Sequence, residues 1–276
     1  MVKLLVCEKV CIGVDTRLDS LEISTTFCAK PALSETKVDI SIVPYYNRYA
    51  LCVYADDKEF VEHVDGSELL FKLCIAIEDV IVSKLCENFC SYAIIHSGCV
   101  KVYNNNMLVV GQKESGKSTL ISYLSTKVDF EYICDDSTVL TTDSCFGAQI
   151  PIRLRKIFVD GNNMSNMSNI TSKSSDGINV RYLFNPINNP LCEKFKPTHI
   201  IFPQYASCDS PSMLRIEAID TFRMLIENTK AWSSPNDLYR IARLYAKSIP
   251  AYKIRYNNIE CAYLMMEEIN GKTYKK

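Results

Sequence analysis

At 276 residues the chain has room for one large domain or two small ones, and its 47% apolar and 23% charged residues exclude a disordered or fibrous class. Thirty-one Lys and Arg against thirty-two Asp and Glu leave a net charge of −1 with no basic patch, which argues against nucleic acid as a partner. The longest apolar stretch, Leu69 to Val82, is interrupted by Lys72, Glu78 and Asp79, which argues against a membrane partner.

In chain order, residues 1–65 alternate short apolar runs with polar breaks. The runs Lys3–Val14, Val38–Val43 and Ala50–Tyr54 predict strands of a small antiparallel sheet. The N-terminus meets charge at Lys3, Glu8 and Lys9 before a signal-peptide core could form. Asp65-Gly66-Ser67 is a helix start with Ser67 as N-cap, and Leu69, Leu70, Leu73, Ile77, Val80 and Ile81 then fall at helical intervals toward Cys90. Of thirteen cysteines, Cys52, Cys74 and Cys134 lie in apolar runs and read as small core residues. Neither Cys7-x-x-x-Cys11 nor Cys86-x-x-x-Cys90 has zinc-finger company. A chain of this kind is expected in a reducing cytoplasm.

Tyr92–Ile95 and Cys99–Tyr103 read as strand, and Asn104-Asn105-Asn106 closes a hairpin onto the apolar run Met107–Val110. Residues 111–118, Gly-Gln-Lys-Glu-Ser-Gly-Lys-Ser, follow at once and fit G-x-x-x-x-G-K-[ST]. The spacing has a physical reason. Gly111 and Gly116 let the backbone turn successive N–H groups around an anion, so the loop residues Glu114, Ser115, Gly116, Lys117, Ser118 and Thr119 would cradle a nucleotide's phosphates. Lys117 supplies a charge for the β/γ-phosphates and the Ser118 hydroxyl a ligand for Mg²⁺. Leu120, Ile121 and Leu124 then mark a helix, so the phosphates would meet a helix N-terminus. ATP and Mg²⁺ are the expected cofactors.

Phe130–Cys134 is an apolar strand ending in Asp135-Asp136, eighteen and nineteen residues beyond Lys117. One carboxylate there suits a Mg²⁺ shell, and a second could take a proton from an attacking hydroxyl. Residues 160–177 are polar and repetitive, with Asn-x-Ser/Thr triplets at Asn163, Asn166 and Asn169, and suit either a disordered segment or a substrate-handling flap. Pro197–Pro203 and Tyr252–Tyr256 read as strands, and Ile219–Asn228, Asn236–Lys247 and Ile259–Ile269 as helices.

His96-Ser-Gly98, the hairpin, Gly111–Ser118 and Ile133-Cys-Asp-Asp136, in that order, resemble the HPr kinase/phosphorylase superfamily, and more closely its kinase-like members in peptide-modifying gene clusters. The resemblance is specific over Tyr92–Leu140. It implies an α/β fold with a P-loop kinase core of the HPr kinase/phosphoenolpyruvate carboxykinase-like type in residues 91–276, behind a β-rich N-terminal region in 1–90. It further implies an ATP-dependent serine kinase with Asp135 as base, Asp136 as Mg²⁺ partner, and His96 hydrogen-bonded to Asp135. Arg153, Arg155 and Arg255 are candidates for phosphate contact. The chain departs from the family where Lys113 and Glu114 replace the usual Ser and inner Gly, and where Thr119 stands in place of Glu. These departures argue against phosphorylase activity and against HPr as acceptor. A peptide or protein with an acceptor serine is the expected partner, with self-association implied by the resemblance. A kinase of a small alcohol and a non-catalytic nucleotide-binding regulator are the alternatives.

Overall fold

The computed structural model describes residues 1–6, 10–15, 30–55, 58–124, 127, 130–148, 150–154, 167–174, 178–183, 194–206 and 210–271. They form a mixed α/β protein in two compact units, one of Met1–Lys84 with Gln149–Leu191 and one of Leu85–Ala148 with Cys192–Lys276. Segment 149–191, which the sequence reading assigns to the core, groups with the N-terminal residues.

In the first unit, β1 (Val2–Val6), β2 (Val10–Val14), β3 (Lys30–Pro31), β4 (Ile40–Tyr45), β5 (Arg48–Ala55) and β6 (Lys58–Val64) form a sheet in the order β3-β1-β2-β4-β5-β6. The antiparallel expectation holds at every pairing but one: β2 and β4 run parallel. Val10, Ile12, Val14, Ile40 and Ile42 are fully buried there. Helix α1 (Leu69–Cys86) follows a turn at Asp65–Glu68 and buries Leu73, Cys74, Ile77 and Ile81. Burial pushes the Cys74 thiol up to about 12, as suits an inert core residue.

A second, three-stranded sheet of this unit has the order β12-β14-β13, from β12 (Ile152–Leu154), β13 (Met167–Lys173) and β14 (Asn179–Leu183). The polar segment 160–177 is therefore strand over 167–173, where Ile170 and Thr171 favour extended backbone. Residues 160–166 and 175–177, with Asn163 and Asn166, lie outside the described residues, as do Cys7 and Arg155.

The second unit is built on β7 (Ala93–Val102), which continues through His96-Ser-Gly98 where the sequence suggested two separate runs. It forms a two-residue hairpin with β8 (Asn105–Val110), turning at Tyr103 with φ of +54°. The sheet runs β15-β11-β10-β7-β8-β16-β19-β17, with β9 and β18 also paired to β7. These are β9 (Phe130–Cys134), β10 (Ser137–Leu140), β11 (Cys145–Gly147), β15 (Lys194–Phe195), β16 (His199–Tyr205), β17 (Ser212–Ile216), β18 (Thr229–Trp232) and β19 (Ala251–Tyr256). Strands β8, β16 and β19 are parallel, so their carboxyl ends open on the same edge, where ligands of open α/β sheets gather.

Helices α2 (Lys117–Leu124), α3 (Ala218–Glu227), α4 (Pro235–Ser248) and α5 (Ile259–Ile269) complete the unit. Leu225, Leu238, Ile241, Ala242 and Tyr245 of α3 and α4 pack with Ala93, Ile95, Cys99, Leu108 and Val110 on one face. The other face of β7 carries His96 and Gly98 by the two-residue alternation of a strand, and Ile121 of α2 lies against it at Gly98. Among the described residues no helix is long and apolar enough to cross a membrane.

Candidate phosphate and acid site

The loop 111–118 leaves the carboxyl end of β8 and enters α2 at Lys117, the strand–loop–helix order expected of a phosphate loop. Glu114 and Gly116 have φ of +69° and +95°, and alternation of this kind turns neighbouring N–H groups to one side of the chain. Gly116 is required for a second reason: a Cβ there would sit 2.5 Å from Tyr256 Oη. A Cβ on Gly111 would likewise meet Ser115 Oγ at 2.5 Å. The loop is tied down from the neighbouring parallel strands, since Tyr205 N donates to Ser115 O at 3.0 Å and Tyr256 Oη to Gly116 O at 3.4 Å. Burial raises the Tyr256 phenol well above its ordinary range, so it stays a neutral donor. Ser115 Oγ is buried with no hydrogen-bond partner among the described residues. A glycine-lined turn with an orphaned buried hydroxyl fits an anion.

The acid pair is set on the opposite edge of β7. Cys134 pairs with Cys99 and Ser137 with His96, so β9 and β10 lie end to end along one edge in a common register, with Asp135 and Asp136 opposite Gly98 and Ser97. Asp135 lies over Gly98, where a Cβ would be 2.9 Å from its Oδ1. Asp135 is 5% exposed, and Oδ1 has no hydrogen-bond partner among the described residues. Regular alternation would send Asp136 to the other face. Its φ of +77° breaks that alternation and carries its carboxylate to His96, with Oδ1 3.0 Å from Nε2. The resemblance implied a His96–Asp135 hydrogen bond; the imidazole instead meets Asp136, because the left-handed residue brings the second carboxylate to the first one's face.

Lys117 is buried and its Nζ lies 3.1 Å from the same His96 Nε2. A ring nitrogen either donates or accepts. With a proton on Nε2 the ring donates to Asp136, and without one it accepts from Lys117. A second group also reaches Asp136. Lys230 Nζ is 3.0 Å from Asp136 Oδ2 and donates to Ser137 Oγ at 2.8 Å. Ser118 and Thr119 sit half-buried in the first turn of α2.

His96, Lys117, Asp135 and Asp136, separated by up to forty residues in sequence, thus meet around Gly98 on β7. Arg153 donates to Glu78 Oε2 at 2.9 Å in the first unit, and Arg255 is exposed on β19. Sequence reasoning missed Tyr205, Tyr256 as a loop tether, and Lys230. Tyr205 could have been found as the polar end of the buried run Ile200–Phe202, whereas Lys230 carries no local signal.

No protein-family model matches the chain, and no curated protein matches it. Among solved structures the chain is similar to the Hpr(Ser) kinase/phosphatase from Coxiella burnetii, at 13% identity over 64% of this chain and 94% of that one, with a TM-score of 0.29. A TM-score of that size is not a fold assignment.

Proposed function

We propose that the chain is an ATP-dependent kinase that transfers the γ-phosphoryl group to a hydroxyl, specifically a serine of a peptide or protein. The observation that carries this reading is the convergence on one strand of a glycine-lined turn holding Lys117 and a buried carboxylate, Asp135, whose Oδ1 has no hydrogen-bond partner among the described residues. A protein that only binds a nucleotide has no use for the second of these.

The loop amides and Lys117 would hold the phosphates, and the Ser115 hydroxyl would gain a phosphate oxygen as partner. Asp136 and Ser118 would hold Mg²⁺, which offsets phosphate charge when bound. Asp135 takes the proton from the acceptor hydroxyl as its oxygen forms the new bond to the γ-phosphorus. The bond from that phosphorus to the bridging oxygen breaks, and ADP leaves with the electron pair. Low exposure keeps Asp135 in a poorly hydrated setting, where a proton-accepting carboxylate is effective. His96 Nε2 orients Asp136 when it carries a proton and the Lys117 ammonium when it does not.

The test is incubation with γ-labelled ATP, Mg²⁺ and a panel of peptides and lysate fractions, resolving label by mass. Label on serine that disappears in Asp135→Asn supports the reading. Label on a small molecule moves the acceptor class to an alcohol metabolite. ATP binding with no transfer to any acceptor, and no effect of Asp135→Asn, favours the regulator instead.

A further inference from the structure

We propose that Lys230 is a second cation of the phosphoryl-transfer site, contacting the terminal phosphoryl group of the bound nucleotide. The inference rests on the nucleotide reading of the 111–118 loop. Two independent observations lead to it. The first is the backbone. Strand β18 pairs with β7 at Thr229↔Ile95 and Ala231↔Ile94, so Lys230 is one extra residue between two consecutive partners. A bulge of this kind bends the strand and re-aims a side chain, and bulges recur beside active sites. Lys230 is the side chain it re-aims.

The second is where the side chain ends. Its ammonium spans Asp136 Oδ2 and Ser137 Oγ, at 3.0 and 2.8 Å, while Asp136 Oδ1 faces His96 and through it Lys117. Lys230 thus reaches one oxygen of this carboxylate directly from β18, while the imidazole that faces the other oxygen lies against Lys117 of the phosphate loop. Lys230 remains about one third exposed, at 35%, so it is not sealed in place as a structural buried ion would be. When Asp136 serves Mg²⁺, the Lys230 ammonium exchanges its carboxylate partner for a terminal phosphoryl oxygen. Lys117 neutralises the phosphates from the loop side and Lys230 from the β18 side, where it meets charge spread over the terminal phosphoryl oxygens. No motif marks this residue, because it is 113 positions beyond Lys117 in the four-residue strand Thr-Lys-Ala-Trp.

The experiment is equilibrium binding of ATP and of ADP, with Mg²⁺, to the full chain by calorimetry for wild type, K230M and K230Q. K230Q keeps a donor for Asp136 and Ser137 while removing the charge, and so provides the result should K230M lose its fold. A terminal-phosphoryl contact predicts ATP affinity weaker by about tenfold or more in both variants, with ADP affinity within about twofold of wild type, as expected from loss of one charge-assisted hydrogen bond. Equal weakening of both nucleotides, or of neither, overturns the assignment and leaves the nucleotide reading standing. Failure of the wild type to bind either nucleotide removes both.

Discussion

Gly98 lies directly beneath Asp135, with no room for a side chain between them: a methyl group on Gly98 would stand 2.9 Å from Asp135 Oδ1, 2.8 Å from Cys134 O and 2.4 Å from Ile121 Cδ1. The glycine is what lets the acid strand and helix α2 close on β7 together. Since one obstructing atom is backbone, Gly98→Ala cannot be absorbed by a rotamer change. The substitution should cost about 1–3 kcal/mol, the usual range for overpacking, and should lower transfer by displacing Asp135. Urea unfolding reads the first effect; a loss under about 0.5 kcal/mol would mean the contact is looser than described.

The two aspartates should respond differently. Asp135→Asn is expected to keep ATP affinity within a few-fold while lowering transfer by about two to four orders of magnitude, the scale of a lost general base. Asp136→Asn should instead raise the Mg²⁺ concentration needed for half-maximal binding. The division of roles fails if Asp135→Asn loses ATP binding and transfers normally whatever remains bound.

Glu114 stands where the resembled family places glycine, and at φ of +69° it occupies the left-handed region that costs a non-glycine residue roughly 1–2 kcal/mol. Glu114→Gly should therefore leave stability unchanged or raise it by up to about 1 kcal/mol, strain relief being partly offset by the freer unfolded chain. Glu114→Val, with a branched Cβ, should destabilise. A clear loss of unfolding midpoint for the glycine variant would contradict this.

Helix α4 gives a pH prediction away from the site. Its N-cap Ser234 accepts from Asp237 N at 3.1 Å. The hydroxyls of Ser91, Ser234 and Ser233 in turn hold the Asp237 carboxyl well below the usual carboxylate range. A carboxylate depressed by folding contributes stability that is fully present above its unfolded pKa of about 4 and is lost as pH falls toward the folded value. Wild type should exceed Asp237→Asn in urea midpoint by a constant amount near pH 6, and the gap should narrow below about pH 4. A gap independent of pH would assign the effect to geometry rather than charge.

What the sequence made legible was whatever chemistry writes locally. Gly111–Ser118 follows an apolar run because a phosphate loop needs a strand before it and a helix after it. Asp135-Asp136 ends an apolar strand, and the helices over 218–227, 235–248 and 259–269 follow from their apolar spacing. The partner of His96 was not legible, because it depends on one backbone angle at Asp136 that no residue type dictates. Lys230 was hidden for a similar reason, since a bulge is a property of two strands and not of one. Strand β6 escaped because Phe60 and Val61 are both more than half exposed, so Lys-Glu-Phe-Val-Glu-His-Val shows no clean alternation.

Strand β7 is paired along its length by β8, β9, β10 and β18, and each brings a part of the site to it. The spacing between the phosphate loop and the acids is consequently fixed by the width of one ribbon, and outward drift at β15 or β17 leaves it untouched. The vulnerability is concentrated instead. A slip of a single residue in β7 would turn His96 and Gly98 to the helical face of α3 and α4 and detach every part of the chemistry at once. Natural variation is therefore expected to be wide at the rim of this sheet and narrow along these ten positions.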